Sequence, residues 1–229
     1  MKSRLNVLIP TMCAFALMAG SLFADEFQEL MAAASRAERQ GEFVRAIVTF
    51  NSALLQALTP DRQAMVYLNR GGAYAFNGEM DRAISDWDES IRLNPGLADA
   101  YNNRATGYYQ KGDYKKALAD YQQAATLAPA LGLNGLAWVL ATCPDASVRD
   151  GKTAIEVAGK ACDLSNWKDW RFIDTLAAAH AEAGDFAHAI EYAKQARNMP
   201  GLTEAQRNEV ISHLESYEKK TPFHEKPKP

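Results

Sequence analysis

The sequence predicts an all-α fold: helical hairpins stacked one on the next and closed by a capping helix. Three observations predict it. First, MVYLNRGGAYAFNGEMDRAISDWDESIRLNP (65–95) overlays DAYNNRATGYYQKGDYKKALADYQQAATLAP (99–129) at an offset of 34 residues. Tyr67 falls on Tyr101, Arg70 on Arg104, Tyr74 on Tyr108, Gly78 on Gly112, Ala83 on Ala117, Asp86 on Asp120 and Pro95 on Pro129. A fixed period of this length means one structural unit packed on copies of itself. Second, each copy reads as two helices about a Gly. Tyr101, Ala105, Tyr108 and Tyr109 recur at helical spacing before Gly112, and Tyr114, Ala117, Leu118, Tyr121, Ala124 and Ala125 after it. Third, Gly112 can take the positive φ that ends a helix, and Pro129 stops the second helix of its copy.

The elements follow in order. Residues 1–24 read as a secretory signal: Lys2 and Arg4, then an apolar run to Phe23 with small residues near its end. The expected location is therefore periplasmic or secreted; an uncleaved membrane anchor is the alternative. Without those residues the net charge goes from −3 to −5, because they carry two basic and no acidic side chains. That balance argues against a nucleic-acid partner, which calls for a basic footprint. A degenerate copy covers 27–60, with Leu30, Ala34, Gly41, Phe43, Ala46, Phe50, Ala53 and Pro60, and Asp61 to Gln63 separate it from the regular copies at 64–97 and 98–131.

Residues 132–165 depart from the pattern. Cys143-Pro144 should shorten the first helix there to about Leu136–Thr142, since Pro lacks an amide hydrogen and disfavours helix in the residue before it. A second helix carries Ala154, Ile155, Ala158, Ala161 and Leu164, and another copy spans about 170–203 with Gly184 at its turn. A capping helix at 203–220 opens with Thr203-Glu-Ala-Gln206, which has capping-box spacing. Residues 221–229 (TPFHEKPKP), with three prolines and two lysines, read as a disordered tail.

The aromatic, small, Gly, Ala, aromatic and Pro positions of 64–97 and 98–131 resemble the tetratricopeptide repeat, a helix–turn–helix of 34 residues. The run from Leu136 to Phe186 is similar to a module of bacterial tetratricopeptide proteins that implies no fixed reaction. The resemblance implies a right-handed α-solenoid of about five units, plus the cap, whose first helices line a concave surface. It also implies a protein-interaction module that needs no cofactor.

Counting from the repeat, the concave positions include Leu68 and Phe76 in the second copy, and Asn102, Tyr109 and Gln110 in the third. The last copy supplies Arg171, Asp174, Ala178, Ala181 and Glu182. The mixed, partly apolar centre suits a protein or peptide partner held in a groove. The Lys and Asn clamp with which some family members hold a C-terminal carboxylate is largely absent, because Met31, Ser35 and Asp99 occupy its places beside Asn103.

Arg70 and Arg104 stand where the repeat usually has an apolar residue, and each is followed sixteen residues later by an acid, Asp86 and Asp120. A buried Arg calls for such a companion, so these are read as structural ion pairs. Cys143 and Cys162 lie in one unit. Pairing would close a loop of about 20 residues worth roughly 3 kcal/mol; two free core thiols are the alternative. His180, His188, His213 and His224 show no zinc-protein spacing with the cysteines, so no metal site is expected. The chain lacks a phosphate loop, HExxH and GxSxG, and is read as non-catalytic. Self-association through the stack's edges or its capping helix is a second reading, and a thiol-dependent enzyme a third.

Overall fold

The computed structural model describes residues 26–226, so the expected signal segment at 1–24 lies outside the described residues. Among the described residues there are eleven helices and no strand. None of them is long and apolar enough to cross a membrane. The chain divides into two units at Pro95 and Gly96, each taken by itself below.

The first unit holds α1 (residues 26–39), α2 (Phe43–Gln56), α3 (Pro60–Phe76) and α4 (Met80–Leu93). The second holds α5 (Ala98–Gln110), α6 (Tyr114–Leu127), α7 (Pro129–Thr142), α8 (Gly151–Leu164), α9 (Trp170–Glu182), α10 (Phe186–Asn198) and α11 (Glu204–Glu218). Consecutive helices pack on one another within each unit, and α7 and α9, the first helices of their pairs, also lie against each other.

One turn recurs. Gly41, Gly78, Gly112 and Gly184 follow first helices with φ between +75° and +83°. The next amide reaches back to close the helix in every case: Glu42 to Ala37, Glu79 to Tyr74, Asp113 to Tyr108 and Asp185 to His180, each at 2.9 Å. This backward bond satisfies a carbonyl that would otherwise be orphaned, and only Gly takes the preceding conformation without a Cβ penalty.

Two prolines do the opposite of stopping a helix. Pro60 and Pro129 occupy the first turns of α3 and α7, where the missing amide hydrogen is an orphan anyway and the fixed φ suits the helix. The three residues expected to separate the first two copies are therefore inside α3, which Thr59 caps by accepting from the Arg62 amide. Likewise α7 is not shortened. It runs 14 residues, as long as α6, because it begins seven residues before the expected Leu136.

That early start brings α7 very close to α6. A Cβ on Gly132 would stand 2.2 Å from the Ala125 nitrogen, and one on Gly135 would stand 2.3 Å from the Tyr121 ring. The break at Cys143-Pro144 is then bridged rather than left loose. Asp150 donates its amide to the Leu140 carbonyl at 2.9 Å, and Arg149 donates to the Cys143 carbonyl at 2.6 Å and to Glu182 at 2.9 Å.

The core is alanine-rich, with Phe50, Ile173, Val66, Val139, Val210 and Tyr217 among its fully buried larger side chains. Small residues at helix crossings let backbones approach while these side chains fill the gaps. Across α3 and α4, Arg70 Nε and Nη2 donate to the two Asp86 oxygens at 2.7 Å each. Arg104 repeats this with Asp120 between α5 and α6 at 2.7 and 2.8 Å. Both pairs are two-pronged and mostly buried, the geometry that suits a desolvated Arg.

Candidate functional site

The C-terminal segment is not a disordered tail through its described residues. Residues 221–226 form no helix, yet they are fastened to the second unit. The Glu225 amide donates to the Thr142 carbonyl at 2.8 Å, and Trp138 Nε1 donates to the Glu225 carboxylate at 2.7 Å. His224 Nε2 meets Glu182 at 2.6 Å. Phe223 packs on His213 with ring centroids 4.2 Å apart and on Trp138 at 6.1 Å. These partners lie on α7, α9 and α11, so the segment crosses a face made by first helices and the cap. Polar composition suggested disorder; the backbone bond, the aromatic contact and the carboxylate contacts together offset the ordering entropy.

This arrangement explains several counted positions. Glu182 sits under the segment, held by Arg149 on one oxygen and by His224 on the other. Tyr109, half-buried on α5, has its phenol pushed upward first by burial and then by the nearby Glu225 carboxylate. Asn102 and Gln110 are half-buried on the same helix. Arg171 is exposed at the start of α9 and pairs with Asp169.

Two counted positions need correction. Leu68 is buried, 7% exposed, and its carbonyl accepts from Trp87 Nε1 at 3.2 Å. Asp174 is 4% exposed, because α11 packs on α9 and sets His213 Nδ1 3.0 Å from its carboxylate. Ala178 and Ala181 are buried too, so most of α9 is core and not an open wall. Phe76, by contrast, is 76% exposed in the first unit, stacked on Phe43 at 5.4 Å.

Of the two arrangements left open for the cysteines, the free one is present. Cys143 and Cys162 are both free and buried. Cys143 packs with Ala105, Ala117, Tyr121 and Val139, whereas Cys162 belongs to the separate cluster around Ile173 and Leu176. Burial pushes the Cys162 thiol up to about 12 and raises that of Cys143 too. Neither is an activated nucleophile, which would need a depressed value.

A second polar cluster was missed from sequence. His180, Asp185 and His188 converge at the α9–α10 turn, with Asp185 Oδ2 3.2 Å from His180 Nδ1 and 2.6 Å from His188 Nδ1. One nitrogen or oxygen from each lies within 4.8 Å of the others. The residues form H-x4-D-x2-H across Gly184, and that spacing was the available signal. Asp185 is lowered from its ordinary value, chiefly by its His188 bond, and burial lowers His180.

Comparison with known proteins agrees with this architecture. Residues 98–131 match the tetratricopeptide repeat family. Among curated proteins no sequence relative matches. Among solved structures, the chain is similar to a thermophilic tetratricopeptide repeat protein of Thermus thermophilus. The TM-score is 0.65 at 16% identity, covering 81% of this chain and 97% of that one. It is also similar to a tetratricopeptide repeat protein of Parabacteroides merdae, with TM-score 0.64, 18% identity, and coverage of 85% and 73%. MamA of Desulfovibrio magneticus aligns with TM-score 0.59 at 20% identity, covering 75% and 93%. At these identities the likeness concerns the fold. Residues 98–131 are thus a tetratricopeptide repeat, and the chain around them is built of helix pairs of that same fold.

Proposed function

We propose that this chain is a non-catalytic protein-interaction module of the cell envelope, and that it holds a partner segment against the first-helix face of its second unit. The observation that carries this reading is the docked C-terminal segment. It supplies a backbone amide to Thr142, an aromatic ring beside Trp138 and His213, a carboxylate to the Trp138 indole and an imidazole to Glu182. A face that accepts one extended chain through these groups suits another of similar chemistry: extended backbone, a bulky aromatic and an adjacent acid. Envelope location rests on the basic start and apolar run within residues 1–24. Both thiols are protonated at neutral pH, which favours binding over thiol chemistry.

The test is site-specific photo-cross-linking from an envelope extract. A benzophenone side chain replaces Asn102 or Gln110 on α5, or, as control, exposed Gln122 on α6. The expected outcome is a discrete adduct from Asn102 and Gln110 that strengthens when residues 222–229 are removed. Equal adducts from Gln122, or none from α5 in either background, would refute the first-helix face as the binding surface.

A further inference from the structure

We propose that His180, Asp185 and His188 form a site for one divalent transition-metal ion of the zinc, nickel and copper class. The three come from a rigid turn. His180 lies in the last turn of α9, Asp185 caps α10 by accepting from the His188 amide at 3.3 Å, and His188 lies in the first turn of α10. The backbone between them is fixed by Gly184 at φ +82°, with its amide on Ala181, and by the Asp185 amide on the His180 carbonyl. Ligand positions set by a helical hairpin need little ordering when the ion arrives.

The distances suit an ion. Metal bonds of about 2.0–2.2 Å in a tetrahedron place ligand atoms roughly 3.3–3.6 Å apart. Here one ligand atom per residue falls within 4.8 Å of the others, and the Asp185 oxygen stands 3.2 and 2.6 Å from the two imidazole nitrogens. Side-chain adjustments of about an ångström would bring all three to one centre.

The rings are backed on one side. Tyr192 packs on His180 at 5.4 Å and on His188 at 6.4 Å, and Trp167 stacks on Tyr192 at 5.9 Å. The other side is open, with the Asp185 and His188 side chains 39% and 55% exposed. Two imidazoles and one carboxylate without a thiolate select zinc, nickel or copper(II) over magnesium and calcium, which prefer all-oxygen shells. Three protein ligands leave a fourth position for water.

The test uses the tag-free full chain, dialysed against EDTA, titrated calorimetrically with Zn²⁺ and, separately, with Ni²⁺ while tryptophan emission is followed. We expect one saturable site per chain, and partial Ni²⁺ quenching that is lost in Trp167→Phe while Zn²⁺ binding persists. His188→Ala, at an exposed position, should keep the helical circular dichroism and weaken Zn²⁺ at least about tenfold, a loss that even outer-shell changes can produce. His180→Gln should do the same, whereas His224→Ala should leave affinity unchanged. Absence of saturable Zn²⁺ binding, or unchanged affinity in His188→Ala, overturns the proposal and reduces the cluster to an Asp bridging two imidazoles by hydrogen bonds.

Discussion

Replacing Gly132 by Ala tests how α7 is seated. The added Cβ would stand 2.2 Å from the Ala125 nitrogen, 2.6 Å from its Cα and 2.7 Å from the Ala124 carbonyl carbon. All three are backbone atoms of α6, so no side chain can swing aside. Restoring ordinary contact near 3.5 Å requires α7 to retreat by about 1 Å, loosening carbon–carbon contacts along that interface. Overpacking of this kind costs about 1–3 kcal/mol, and backbone obstruction favours the upper end. Better helix propensity offsets roughly 1 kcal/mol, leaving a net loss of about 2 kcal/mol. Gly159→Ala is the matched control, since its Cβ would meet nothing within 4 Å. That change should stabilise by about 0.5–1 kcal/mol. Thermal unfolding by circular dichroism should therefore show Gly132→Ala lower by about 4–8 °C and Gly159→Ala higher by a few degrees. If both variants shift upward together, the close approach of α6 and α7 is wrong.

Three further outcomes concern the buried ion pair and the buried thiols. Arg70→Met leaves the Asp86 carboxylate, whose side chain is only 9% exposed, without its two-pronged partner. Urea unfolding should register a loss of about 3 kcal/mol, and Arg70→Met with Asp86→Leu should recover most of it; a double variant as weak as the single would contradict the ion-pair account. For Cys143 and Cys162, a thiol reagent should modify neither in the native chain and both in denaturant. Folding favours the protonated Cys162 thiol, so its contribution is full below the unfolded value of 9.0 and is lost as pH rises towards about 12. Cys162→Ala should flatten that alkaline loss, which equilibrium unfolding at several pH values would measure.

The regular part of the fold was legible because its causes are local. The glycine turns, the Arg–Asp pairs and the capping box at Thr203 and Gln206 each depend on residues at fixed, readable offsets. The prolines misled because the same ring that ends one helix is favoured at the start of the next, and sequence alone does not say which role applies. Pro60 and Pro129 take the second role, with only a short connection before them.

The candidate site was less legible because its partners are far apart along the chain. Trp138 and Glu225 are separated by 87 residues, and His224 and Glu182 by 42. No local pattern distinguishes a proline-rich end that drifts from one that meets a prepared indole and carboxylate. The preparation lies in the irregular unit. There α7 seats deeply on α6 through Gly132 and Gly135 and carries Trp138 and Thr142 in its last turns, just before Pro144. Arg149 then ties the following loop to Glu182, leaving that carboxylate's other oxygen for His224. In a regular copy a glycine turn would stand there instead. The interrupted unit therefore supplies the face with Trp138, Thr142 and the Arg149 tie, to which α9 and the cap add Glu182 and His213.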